Sequence, residues 1–143
     1  MKIAILTPAA LLAASIALPA TATDFDYSSL IGVWTVEGVA VPDDGVQALI
    51  EDDPQYMGDV IKFGPDMIKW TAGTDTRPID PSIDNCPSGP SLAPHAEMPD
   101  ETPIENGFDI MCDNEEWGTI VPVDDQGIQL HWYDNGVLTL TRE

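Results

Sequence analysis

The sequence has very little positive charge: five Lys and Arg stand against 25 Asp and Glu. Phosphate backbones and anionic lipid surfaces would be repelled by such a chain, which excludes nucleic acid and membrane as partners. Cysteine is confined to Cys86 and Cys112, and histidine to His95 and His131. Two isolated cysteines match no close-spaced pair of zinc ligands, so no metal site is expected there. A Gly-x-Ser-x-Gly elbow is missing. Ser88, in a Gly-Pro loop, and His131, on the polar face of a strand, are the nearest things to a nucleophile and a base, and no catalytic residue is assigned. There is no internal repeat and no heptad pattern.

One long apolar run is present, at the start. "MKIAILTPAALLAASIALPATA" has a basic Lys2, apolar residues from Ile3 to Leu18 and an Ala20-Thr21-Ala22 cleavage pattern, and reads as a Sec signal peptide over residues 1–22. Pro8 interrupts the run and Pro19 ends it, leaving it short of the roughly 20 apolar residues that span a bilayer. No cysteine precedes Cys86 for acylation, and no Arg pair marks a twin-arginine signal. The expectation is a periplasmic or secreted single domain over residues 23–143. Without Lys2, four basic residues face 25 acidic ones, a formal charge of −21. A basic protein, a cation or a small neutral ligand remains as a partner. The charge also serves to keep an exported protein in solution in salty surroundings.

An even pair of cysteines in an exported chain predicts a Cys86–Cys112 disulfide. Closing that loop stabilises the fold by about 3 to 4 kcal/mol through restriction of the unfolded chain. The bridge pins one end of residues 74–106, which carry seven of the 13 prolines and almost no apolar periodicity. No regular element is predicted in this segment. Loops of this length are a lid or binding arm, or a tethered insertion.

Elsewhere the pattern alternates with period two. "FDIMC", "WGTIVPV", "GIQLHW" and "VLTLTR" form an antiparallel meander separated by acidic turns. In the last hairpin a three-residue Asp134-Asn135-Gly136 loop gathers Ile128, Leu130, Trp132, Leu138, Leu140 and Arg142 on one face, whereas a two-residue Asn135-Gly136 loop splits the apolar set. The three-residue loop is therefore expected. "DVIKF" and "DMIKWTA" make a second hairpin about Gly64-Pro65-Asp66, with Ile61, Phe63, Ile68 and Trp70 inward and Lys62 and Lys69 outward. Between it and the first strand, Asp44 as a cap, Val46, Leu49 and Ile50 at helical spacing, and Pro54 as a stop predict one short helix. The fold class is all-β: a small antiparallel barrel of seven to eight strands with one helix and a long Pro-rich loop, closed so that no edge is exposed.

Gly32-Val33-Trp34 on the first strand and Arg142 on the last resemble the signature of lipocalin-like, or calycin, barrels, in which the first-strand Trp packs inside the closed end beneath a late Arg. A guanidinium over an indole contributes roughly 0.5 to 2 kcal/mol. The resemblance implies Gly32, Trp34 and Arg142 as a structural signature and places Trp34, Val36, Gly38 and Ala40 on the core face. The arrangement of leader, Gly-x-Trp, two cysteines and a closing "DNGVLTLTR" is similar to that of small exported bacterial barrels. The chain departs from typical lipocalins in lacking their central Thr-Asp-Tyr motif, in its shortness and in its Pro-rich insertion, so a large hydrophobic calyx is not implied.

Asp80, Asp84 and Asn85 and the Asp113–Glu116 turn flank the two cysteines and offer oxygen ligands for a hard cation, though without EF-hand spacing. The same loops, Glu115, Glu116, Asp80 and Asp84 above all, are the charge-dense surface on which a basic partner would dock. Trp34, Trp70, Trp132 and Phe63 fall on the core face and Trp117 is not assigned to either. With no nucleophile, metal set or cofactor motif, the sequence points to an exported protein that binds, such as an inhibitor of a basic envelope lysozyme or protease. A small hydrolase or isomerase using a cup lined by Trp132 and carboxylates is the alternative, and a structural envelope protein a third.

Overall fold

The computed structural model describes residues 25–42, 48–132 and 136–143. The leader, the Asp44 cap and Val46 of the expected helix, and Asp134 and Asn135 of the expected turn lie outside these residues. The described chain forms eight antiparallel strands: β1 (Gly32–Ala40), β2 (Val60–Phe63), β3 (Ile68–Thr71), β4 (Pro90–Pro94), β5 (Phe108–Cys112), β6 (Glu115–Asp124), β7 (Gly127–His131) and β8 (Val137–Arg142). They make one curled sheet in the order β3-β2-β1-β8-β7-β6-β5-β4. A 3-10 turn, Tyr27–Leu30, precedes β1, and a single helical turn, Pro81–Asp84, precedes β4. Residues 48–57 form turns and not the expected helix, because the Asp53 carboxylate takes the backbone N–H of Ile50 and Gln55 at 3.3 and 2.9 Å.

The expected closure is not made by a strand ladder. The edge strands β3 and β4 do not pair; instead Cys86 forms an isolated bridge with Ile68, its N–H and C=O bonded at 2.9 and 2.8 Å. Cys86 is also bonded to Cys112 on β5, so one residue spans the gap of the half-barrel. Beside it, the Asn85 side chain accepts the Trp70 N–H at 2.8 Å and protects the β3 edge. The Pro-rich segment differs from expectation too, since it contains both the helical turn and β4. Pro90 and Pro94 bound that strand, where an absent N–H costs least, and β4 lies at the sheet edge. Only Ser91, Leu92 and Ala93 separate them, too few for periodicity to show.

Two registers depart from the sequence reading in instructive ways. On β1 the pairing with β8 shifts between Val36 and Gly38, so Val39 is buried and Ala40 is exposed, the reverse of the expected alternation. On the last hairpin Leu130 faces Leu138, Ile128 faces Leu140, and the Trp132 N–H bonds Gly136 O at 2.8 Å. That is two residues away from the register of a 134–136 loop, and an even shift keeps the same side chains on the core face.

The interior is filled. Trp70, Trp117 and Trp132 meet with ring centroids 4.7 to 6.4 Å apart, and Phe63 meets Trp117 edge-on at 6.0 Å. Gly118 makes room for this cluster, since a Cβ there would lie 3.3 Å from the Trp132 ring and 3.0 Å from Leu130. At the other end of the sheet the Arg142 guanidinium lies 4.3 Å from the centre of the Trp34 ring and donates to Ile31 O and Ser29 O at 2.9 and 2.6 Å. Trp34 Nε1 donates to Leu30 O at 2.8 Å. Gly32 has φ +145°, and a Cβ at this position would sit 2.8 Å from Arg142 Nη1. Among the described residues no helix is long and apolar enough to cross a membrane.

Candidate functional site

The alternation of β5, β6 and β7 aims Ile110, Ile120 and Leu130 into the core and turns Asp109, Thr119 and His131 to the outer face. Register then lines these three up, because Asp109 pairs with Thr119 and Thr119 with His131. An outer row would ordinarily be wet. Here Asp109 and Thr119 are buried, because the chain after β4 folds back over them.

This covering arm, residues 95–107, is fastened by the row beneath. His95 N–H bonds Gly107 O at 3.0 Å. His95 Nδ1 lies 2.7 Å from Asp109 Oδ1, Ala96 N–H donates to Asp109 Oδ2 at 3.1 Å, and the Thr119 hydroxyl donates to Asp109 Oδ1 at 2.7 Å. Gly107 permits the close approach, since a Cβ there would meet Ile104, His95 and Thr119 at 3.0 to 3.3 Å. Burial pushes the Asp109 carboxyl up, but the hydrogen bonds from His95, Thr119 and Ala96 outweigh it and hold its pKa below the usual carboxylate value. Asp109 is therefore ionised at neutral pH and can only accept. The His95 Nδ1 that faces it therefore donates, which turns Nε2 away from the carboxylate.

Arm and sheet enclose a cleft of about 800 Å³, whose lining includes His95, Glu101, Glu116, Thr119, His131 and Trp132. Its further acidic residues are Asp100 and Glu105, and among the described residues no Lys or Arg lines it. His95 Nε2 bonds no described protein atom and is not among the buried polar atoms that lack a partner, so it is open to this cleft. His131 also borders it. Burial, and next the nearby His95 imidazole, beside which a second positive charge is disfavoured, push the His131 pKa down, so this ring is neutral at pH 7. The only two histidines of the sequence thus share one cleft. Glu116 Oε1 lies 3.2 Å from the Thr119 hydroxyl, at the inner wall.

A second cleft, of about 700 Å³, opens beside the Trp34–Arg142 pair. It is walled mainly by Phe25, Phe108, Val123 and Ile128, with the Phe25 and Phe108 rings 5.2 Å apart. Arg142 is engaged by backbone carbonyls, and the acids there, Asp124 and Asp125, are exposed turn residues. Ser29 also lines it, and no histidine is among its described lining residues.

Of the residues expected to form a docking surface, Asp80 and Asp84 share one helical turn, the Asp80 N–H bonding Asp84 Oδ2 at 2.8 Å, and Asp84 O accepts from Trp117 Nε1, next to Glu116. Glu115 and Glu116 are exposed at the start of β6, and Glu116 alone of the four borders the larger cleft. Asp80 is exposed and caps the helical turn, accepting from Ser82 N at 3.0 Å. Asp84 is not available for docking: it is buried and held by Arg77 through two bonds of 2.8 and 2.9 Å. Arg77 in turn lies over Tyr56 and Trp70, at 4.7 and 5.4 Å from the ring centres. The oxygen atoms weighed for calcium are spent inside the protein as well, Asn85 on Trp70 N–H and Asp113 on the Ser88 hydroxyl. Among the described residues no group of three or more His, Cys, Asp or Glu could hold a metal ion.

Sequence reasoning passed over Asp109 and Thr119, and left His95 in the Pro-rich segment with no role assigned. One signal was present, an Asp inside the strand "FDIMC", where Asp is disfavoured unless something binds it. No protein-family model, curated protein or solved structure matches this chain.

Proposed function

We propose that this is an exported acidic binding protein of lipocalin-like build, and that its recognition site is the cleft between the arm and the outer face of the sheet. The observation that carries this is the lining: Asp100, Glu101, Glu105 and Glu116 with no Lys or Arg among them, on a chain of formal charge −20. Such a cleft attracts a cation and repels an anion. The partner it fits is a basic protein that presents a Lys or Arg side chain, such as a cationic lysozyme or protease of the cell envelope. The disulfide suits an oxidising compartment. The Trp-filled interior argues against carriage of a hydrophobic ligand inside the barrel.

The test is the association rate with a cationic lysozyme across ionic strength. The on-rate should fall steeply once the Debye length drops to about 8 Å, while dissociation changes less. Glu101→Gln and Glu116→Gln should each slow association, and Asp84→Asn, buried against Arg77, should not act through charge at the surface. Equal rates in dilute and molar salt would overturn the reading.

A further inference from the structure

We propose that His95, oriented by Asp109, is a general base that hydrolyses small activated esters carrying a positive charge in this same cleft. The inference rests on the reading of the cleft as cation-selective and goes beyond the docking of a basic protein. Three observations on geometry support it. The His95–Asp109 contact of 2.7 Å fixes ring and tautomer, as a base and its orienting group require. Nε2 is left open to a cleft large enough for a small ligand. Asp109, buried and ionised, can stabilise the imidazolium that forms when Nε2 takes a proton.

The chemistry follows from what stands near the base. The Thr119 hydroxyl donates to Asp109 and does not bond Nε2, so it is no nucleophile for His95. Water is the nucleophile instead. Nε2 takes a proton from the water as its oxygen bonds to the acyl carbon. The tetrahedral intermediate then expels the leaving oxygen, which receives that proton from Nε2, and acid and alcohol depart with His95 again neutral. Among the described residues no Lys or Arg lines the cleft to stabilise an oxyanion, which limits turnover to esters with a good leaving group. The acidic lining excludes anionic esters, so the substrate class is a cationic or, more slowly, a neutral one.

The experiment compares 4-nitrophenyl esters of a trimethylammonium alkanoate and of a dicarboxylate half-acid, with free imidazole at equal concentration as the background. The protein should saturate with the cationic ester, exceed free imidazole and discriminate against the anionic ester. His95→Gln should lose about 100-fold or more of the rate, the range expected for one general base. In His95→Gly, added imidazole should restore turnover, which a merely structural role would not show. Asp109→Asn, a positioning change, should lower kcat and leave KM for the cationic ester within about twofold. A rate no greater than that of free imidazole, or an unchanged His95→Gln, overturns the proposal. Binding of argininamide, followed by calorimetry with Glu116→Gln as control, tells the two ideas apart. Binding without turnover sinks only the base, and neither binding nor turnover sinks the cation-selective cleft as well.

Discussion

Reducing the Cys86–Cys112 bond is the perturbation whose size follows most directly from the fold. The bond closes a loop of 26 residues, for which chain entropy gives about 12 cal/mol/K, or about 3.5 kcal/mol at 25 °C. A domain of this length unfolds with an entropy near 0.25 kcal/mol/K at its midpoint, so Tm should fall by about 14 °C. The native contacts at the seam do not need the bond: Cys86 keeps both backbone bonds to Ile68, and Trp117 Nε1 keeps its 2.9 Å bond to Asp84 O. Thermal unfolding with and without reductant measures the shift, and near-UV circular dichroism at 20 °C reports the Trp70–Trp117–Trp132 cluster. The expectation is a large loss of Tm with an unchanged native spectrum. A shift below about 3 °C would refute the entropy argument. So would a spectrum that collapses at 20 °C, since the bond would then be holding the folded seam and not restricting the unfolded chain.

Gly32→Ala should destabilise the fold by about 1 to 3 kcal/mol in urea titration, because a Cβ meets Arg142 Nη1 at 2.8 Å from a backbone φ of +145° that L side chains rarely adopt. Arg142→Ala should cost about 2 kcal/mol, and the double variant no more than the larger single one, since both act on the same guanidinium. The His131 pKa is lowered in the fold, so the unfolded chain binds the extra proton first, and stability should decline as pH falls below about 6.5. His131→Gln should flatten that part of the stability–pH curve. Asp109 has the opposite ordinary charge but the same direction of loss: its folded pKa is depressed, so its contribution is complete above about 4 and disappears as pH falls further, and Asp109→Asn should remove both that acid limb and about 2 kcal/mol at neutral pH.

Seven of the eight strands were legible because each alternates at period two between acidic turns. β4 was not, because its three residues between prolines owe their strand form to a ladder with β5, from Pro90 opposite Cys112 to Pro94 opposite Phe108. The bulge after Val36 was invisible for a related reason. Either Val39 or Ala40 satisfies the pattern, and the choice is made by pairing with β8. The disulfide could be expected from count and compartment, whereas its second task, carrying the residue that bridges the sheet edges, depends on where β3 ends. For the cleft, sequence supplied the pieces but not their meeting. His131 was read correctly onto the outer face, but His95 reaches Asp109 across 14 residues without periodicity.

Four carboxylates are buried in the described part of this strongly acidic protein: Asp53, Asp59, Asp84 and Asp109. Burying an ionised group is unfavourable unless donors replace its water, so each must be explained by what it holds. Asp53 closes the turns after β1 through the Ile50 and Gln55 N–H groups. Asp59 ties Trp70 Nε1 and Gly73 N–H at 2.9 and 2.8 Å, fixing the aromatic cluster to the end of β3. Asp84 holds Arg77, which is spread over two aromatic rings. These three end in groups that are themselves used up by packing or by the backbone. Asp109 also fastens a segment, through Ala96 N–H, but its strongest partner is an imidazole whose other nitrogen remains open to a cleft. A clip for the arm needs only the Ala96 bond, with Thr119 steadying the carboxylate from β6, and an apolar residue at position 95. The imidazole adds a base in a fixed tautomer, and that surplus over mere fastening is the physical reason to look for chemistry at this face of the sheet.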